Sequence, residues 1–230
     1  MIGTIINTVL ILVGSGLGLL LRKGIPERLK VTVMLAMGLS VVLIGGSGAI
    51  KTANTMCVVV SMAVGSLLGS ALNIEKHLDD LGKLAERKLG GSGAEGSISK
   101  GFVTASLVFC VGAMAIVGAI DSGINNNHTT LITKGIIDGI SAIIFTSTLG
   151  IGVALSAVAV FVYQGLIALL ATWVAPILTD AVVNEMSAVG GLLIIGIGLN
   201  LIYDKHIPVG NMLPAIFVPL IYLPVAALFG

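Results

Sequence analysis

Residues 3–21 read GTIINTVLILVGSGLGLLL, 19 residues without a charge, and Arg22 and Lys23 follow directly. A helix needs about 20 apolar residues to cross a hydrocarbon core roughly 30 Å thick. The stretch therefore reads as one membrane crossing. The rest of the 230-residue chain repeats it: 56% of residues are hydrophobic and 10% charged, and mean hydropathy is +1.11. A soluble domain has about 25% charged residues, so these charges cannot coat a water-facing surface. Lipid is the chain's main solvent.

Working outward, further spans fall near 32–50, 56–73, 102–120, 136–162, 165–183, 186–203 and 211–229. These runs do not alternate apolar with polar residues, which excludes a β-barrel. The expected fold is all-α: a polytopic transmembrane bundle of about eight spans, seven being the alternative count, forming a single transmembrane domain over 1–230. Met1 to Thr4 lack Lys and Arg, and the positive charges come after the first span. That is the wrong polarity for a signal peptide, so the first span is expected to be retained.

Charge tests the count independently. With eight spans and the amino terminus outside, the inner segments hold Arg22, Lys23, Arg28, Lys30, Lys76, Lys83, Arg87, Lys88, Lys100 and Lys205. The outer ones hold only Lys51 and Lys134. Ten against two is the bias of the positive-inside rule, and it predicts both ends outside. Residues 74–89 differ from the spans: charges are dense, and Ile74, Leu78, Leu81, Ala85 and Leu89 recur at helical spacing. They predict a cytoplasmic amphipathic helix, followed to residue 100 by a flexible Gly- and Ser-rich linker. It serves either as an interfacial extension of the third span or as a docking helix for a partner.

Thirty-one glycines point to close helix packing. The pairs Gly14/Gly18, Gly65/Gly69 and Gly135/Gly139 have GxxxG spacing. They pack helices within one chain or join subunits, and a homo-oligomer, most simply a dimer, is the corresponding expectation. Gly38 to Gly45 and Gly191 to Gly198 keep one interval in spans two and seven, which run in opposite directions, so degenerate inverted repeats are an open reading. Pro208, Pro214, Pro219 and Pro224 crowd the last span. Such a helix is bent or lines a wet cavity, because proline removes helical hydrogen bonds.

The opening Gly3-Thr4-Ile5-Ile6-Asn7 with Gly14-Ser15-Gly16 resembles the start of a bacterial family of multi-spanning membrane proteins of unknown function, which includes YdfK and YqgA. Lys134-Gly135-Ile136-Ile137-Asp138-Gly139, running on to 147–152, is similar to its central motif, as are 185–191 and 196–200. The resemblance covers nearly the whole chain. It implies a multi-pass protein of the bacterial cytoplasmic (inner) membrane and brings no substrate with it.

Enzyme chemistry is not expected. His77, His128 and His206 fall in loops without ligand spacing, Cys57 and Cys110 sit in apolar runs, and no nucleophile elbow or phosphate loop is present. Neither a metal nor a cofactor is called for. A net charge of +1 without a basic stripe argues against nucleic acid. Polar groups within the spans are the better lead, since an ionisable residue in a bilayer costs ~2.5–3.5 kcal/mol or more.

Asp138, just inside the fifth span, and Glu185, at the start of the seventh, are either capping acids at the outer surface or acids of a cation-attracting vestibule. Lys134 can pair with Asp138 one helical turn on. Thr146, Ser147 and Thr148 precede Leu149-Gly150-Ile151-Gly152 in a 27-residue run, longer than a straight span. Either that run breaks near 146–152 and forms a solute site with Glu185 and Asn200, or it tilts and its hydroxyls bond back to their own helix. Asn7, Ser40 and Asn211 are further polar candidates. A transporter or channel for a small polar solute or ion is the leading expectation. A structural or partner-binding membrane protein is the alternative.

Overall fold

The computed structural model describes residues 1–22, 27–80, 97–203 and 207–228. Its elements are α1 (Ile2–Arg22), α2 (Glu27–Ala49), α3 (Thr55–Ala71), α4 (Ile74–Asp80), α5 (Ser97–Cys110) and α6 (Ala113–Ile124). There follow α7 (Thr129–Leu149), α8 (Gly152–Leu169), the short α9 (Ala171–Val174) and α10 (Asp180–Ile202). The chain ends in α11 (Val209–Met212), a 3₁₀ turn (Leu213–Phe217) and α12 (Pro219–Ala226). Six segments are long and apolar enough to cross a bilayer, and the bent pairs α3–α4 and α5–α6 bring the number to 8.

Counting each bent pair as one span gives the expected eight among the described residues, but two spans differ from those the sequence predicts. The run 136–162 is not one span. It is split between α7 and α8, two full-length helices joined through Gly150 and Ile151. Gly150 has φ +84°, a conformation a residue without Cβ enters readily. A turn made of Gly and Ile is as apolar as the helices it joins, so hydropathy does not register it. Residues 165–183 are likewise not a span: they hold the end of α8, α9 and a loop that ends where Thr179 caps α10 by accepting from Val182 N–H at 3.4 Å. The amphipathic helix expected over 74–89 is described only as far as Asp80, and residues 81–96 lie outside the described part.

Contacts fix the direction of every crossing. Gly3 faces Leu131 and Gly135 faces Asn7, so α1 and α7 run parallel. Gly38 meets Gly198 and Gly45 meets Gly191, so α2 and α10 run antiparallel. Gly65 meets Ala215 and Gly69 meets Asn211, which sets α3 antiparallel to the last span. Gly152 meets Ile98 at one end while Cys110 and Tyr163 share a cavity at the other, so α5 and α8 are parallel. Eight alternating crossings result, and both chain ends lie on one side, here termed the terminal face. Of the ten basic residues expected inside, Arg22, Lys76 and Lys100 lie among the described residues toward the opposite, basic face. The corrected boundaries move none of them.

Exchanging spans one to three with six to eight, and four with five, returns these four pairings with every helix reversed, but α10, which also packs on α3 and on span eight, is far more buried than its counterpart α2. The contact between α2 and α10 is reciprocal. A Cβ on Gly45 would lie 2.5 Å from Gly191 O, and one on Gly191 would lie 2.5 Å from Gly45 O. All three GxxxG pairs are used inside the chain, Gly14 and Gly18 on α7, Gly135 and Gly139 on α1, Gly65 and Gly69 on the last span. α10 is the central helix, with 78% of its apolar window buried. Leu193, Val189 and Ala188 on α10 pack with Phe109, Val41 and Val153 from its neighbours.

Candidate functional site

The polar residues singled out from the sequence do not meet at one place. Glu185, 2% exposed, lies at the terminal-face end of α10. Its Oε2 accepts from Thr52 Oγ1 at 2.6 Å, and its Oε1 from the N–H groups of Ala53 and Asn54 at 2.8 and 3.1 Å. The carboxylate thus ties down the loop before α3, whose first turn Asn54 caps through Cys57 N–H at 3.0 Å. Asn200 sits at the other end of α10, where its amide donates to Ile207 O and accepts from Ile207 N–H, both at 2.8 Å.

Thr146, Ser147 and Thr148 occupy the basic-face end of α7. Ser147 donates to Ile144 O at 2.8 Å and Thr148 to Phe145 O at 3.1 Å, so these hydroxyls bond back to their own helix. Thr146 Oγ1 is buried without a partner. Helical geometry ends after these residues, at Gly150, as the close of a span and not as a break within one. Asp138 is placed differently from the sequence expectation. Because α7 begins at Thr129, Asp138 is the tenth of its 21 residues, near mid-membrane and not at the outer surface.

A different region has the architecture of a path. Span four is broken: α5 and α6 meet at 62° around Val111 and Gly112, in the middle of the membrane, and Gly112 has φ +138°. Val111 N–H still bonds Leu107 O at 2.9 Å, and Ala115 N–H restarts the ladder on Gly112 O at 3.1 Å. An interruption of this kind frees backbone groups that lipid cannot satisfy, so it persists only against protein or a cavity. Both are present. A cavity of about 200 Å³ opens at the break, walled by Cys110, Val111 and Gly112, by Met186 and Ser187 of α10, by Tyr163 of α8, and by Leu213, Ile216 and Phe217. That last wall is the 3₁₀ turn of span eight, so two discontinuous helices face each other across the space.

Toward the basic face, the same three walls enclose a second space of about 310 Å³. α5 contributes Ser99, Lys100, Val103 and Thr104, α10 contributes Ile197 and Asn200, and the last segment Ile207, Val209 and Gly210. α4 closes its mouth with Glu75, Leu78 and Asp79. It is fixed there by a hydrogen bond from Glu75 N–H to Asn211 Oδ1 (2.9 Å) and by one from Ser99 Oγ to Asp79 Oδ1 (2.7 Å). The inner cavity is almost wholly apolar, while this vestibule mixes carboxylates, an ammonium and amides with apolar walls.

Asn200 is the single candidate from the sequence that lines either space. The prolines of the last span did signal its irregular course. Gly112 carried the other signal, a lone glycine in mid-span, but thirty-one glycines in one chain mask the one that breaks a helix.

Comparison with known proteins agrees with the fold. The family model described as a protein of unknown function (DUF554) matches residues 2–223. The uncharacterized membrane protein YdfK of Bacillus subtilis (strain 168) is 33% identical over 234 residues, spanning 100% of this chain and 99% of that protein. The uncharacterized protein YqgA of Escherichia coli (strain K12) is 32% identical over 229 residues, 98% of this chain and 96% of its own length. No solved structure matches the chain significantly.

Proposed function

The chain belongs to the DUF554 family of proteins of unknown function, and on that premise we propose that it is a transporter carrying a small solute across the bacterial cytoplasmic membrane. The observation that carries this is the cavity between two discontinuous helices, with a second, separate and polar vestibule nearer the basic face along the same walls. Sites near the bilayer midplane formed by discontinuous helices are a feature of secondary transporters. In the proposed orientation the basic face is cytoplasmic and the vestibule opens inward.

The lining narrows the solute. A bare ion in the apolar inner cavity would lose its hydration with little in return. The cavity therefore suits a solute with an apolar body. Among the described residues, the ionisable side chains Glu75, Asp79 and Lys100 at the mouth favour a polar group there. Self-association, where it occurs, uses faces other than the three glycine pairs, since these are filled within the chain.

A natural cysteine, Cys110, lines the inner cavity and makes the test direct. Purified protein carrying Cys57→Ala is screened by thermal stability against small amines, neutral amphiphiles and inorganic ions, before and after alkylation of Cys110. A solute that stabilises the untreated protein and loses its effect after alkylation supports the site. Binding that survives alkylation contradicts it.

A further inference from the structure

Lys134 and Asp138 form an ion pair in the interior of the membrane bundle. Lys134 Nζ donates to Asp138 Oδ1 at 2.8 Å and to Oδ2 at 2.6 Å, and the two residues are 7% and 4% exposed. A buried ion pair is commonly no more stabilising than apolar residues of equal volume. Packing alone gives no reason for two charges here, where each costs about 2.5–3.5 kcal/mol or more.

The surroundings are the second observation. Asn7 of α1 donates through Nδ2 to Asp138 Oδ2 and to Gln164 Oε1 of α8, both at 3.3 Å. That fixes which way the Asn7 amide points, because the carboxylate requires the donor. Its Oδ1 is then left without a partner, as are Gln164 Nε2 and, one turn away on α1, Thr4 Oγ1. All three residues are 0% exposed. An acceptor, a donor and a hydroxyl together fit water, which accepts from an N–H and donates to a carbonyl oxygen.

The ionisable groups of the helices packed on α7 are few. Between its terminal amine and Arg22, α1 carries none, and α2 has its charges at the far end. α6 brings Asp121, which accepts from Asn125 at 2.8 Å near the terminal face. α8 brings Tyr163, beside Gln164, and α5 brings Cys110. Asp138 is paired with Lys134. Cys110, on the cavity wall, belongs to α5, which packs on α7.

We infer that the Lys134–Asp138 pair is a proton-coupling site, reached from the terminal face through water held by Thr4, Asn7 and Gln164. One proton from the aqueous phase adds to the Asp138 carboxylate and makes it a neutral acid. Lys134 stays an ammonium, released from its partner, and its flexible stem lets it reach outward along the helix. Loss of the proton restores the pair. The change of charge lies on α7, the helix packed against α5, which carries Cys110 on the cavity wall. That this proton drives solute movement rests on the transporter reading, whereas the protonation itself belongs to the pair.

The experiment therefore follows protonation without any solute. Infrared difference spectra of the full chain in nanodiscs, carrying ¹³C-labelled aspartate, are recorded between about pH 5 and 9. The expected result is a neutral-carboxyl signal that grows as pH falls, shifts on exchange into heavy water, is lost in Asp138→Asn and is kept in Asp138→Glu. Lys134→Met moves its midpoint at least about tenfold in proton concentration, since an opposite charge at this range is worth that much or more. Should Asp138→Asn not fold, the wild type and Lys134→Met decide alone. No neutral-carboxyl signal over the range, the same signal in Asp138→Asn, or an unmoved midpoint in Lys134→Met each overturns the inference. Any of these leaves solute binding at Cys110 standing. Intact titration without solute binding would instead remove the transporter reading.

Discussion

Replacing Gly112 by alanine isolates the break in span four from every other feature of the chain. Nothing lies within 4 Å of the position a Cβ would take there, so the substitution meets no steric obstacle. What it meets is the backbone: φ 138° with ψ 147° is a region that residues with a Cβ essentially do not enter. Holding alanine there costs on the order of 1–3 kcal/mol, a factor of about 5–150 in the folded-to-unfolded ratio.

Gly16→Ala is the control. It too has open space around the new Cβ, but it lies within regular helix, where alanine gains about 0.5–1 kcal/mol over glycine. The two substitutions add the same methyl group in equally open surroundings and are expected to move stability in opposite directions. Equilibrium unfolding of purified protein in mixed micelles measures both. If Gly112→Ala proves as stable as Gly16→Ala, alanine is accommodated in an unbroken helix. The break is then not a fixed feature of the fold.

Gly45→Ala places a methyl 2.5 Å from Gly191 O and forces α2 from α10, so it should destabilise by about 1–3 kcal/mol in the same assay, whereas Gly46→Ala, which meets nothing and lies within the same helix, should gain stability as Gly16→Ala does. Glu185→Gln puts an amide where two N–H groups and a hydroxyl donate, and should cost about 1.5–3 kcal/mol of stability. A variant of full stability would mean that Glu185 does not hold the 52–54 loop. For sidedness, Asn127→Cys should label from outside intact cells with an impermeant thiol reagent and His77→Cys only after lysis. The reverse pattern would invert the bundle.

Hydropathy and charge carried the class, the count of eight and the two-faced arrangement, because those properties are summed along a chain. They did not carry the boundaries between 129 and 179. Lys134 made the first turns of α7 look like a loop, although a lysine paired with Asp138 is buried at little exposed charge. That one displacement moved Asp138 from mid-membrane to the surface and joined two helices into the run 136–162. The interval shared by Gly38/Gly45 and Gly191/Gly198 was legible, and these are the glycines that meet across the centre of the bundle. The path along α5, α10 and span eight was not legible, since its walls are ordinary apolar residues assembled from three distant segments.

Accessibility of Cys110 tests the transporter account most directly. In a Cys57→Ala chain it is the remaining native thiol, at the helix break and about halfway along the span. Impermeant thiol reagents with a small apolar reactive end and a charged tail are added separately to the two faces of oriented membrane vesicles, and the rate of Cys110 modification is followed by mass. The account predicts reaction from the cytoplasmic face through the vestibule, slowed when Thr104→Trp narrows it. A Cys110 that reacts from neither face, with the protein folded, would mean that no aqueous path reaches the centre of this membrane bundle.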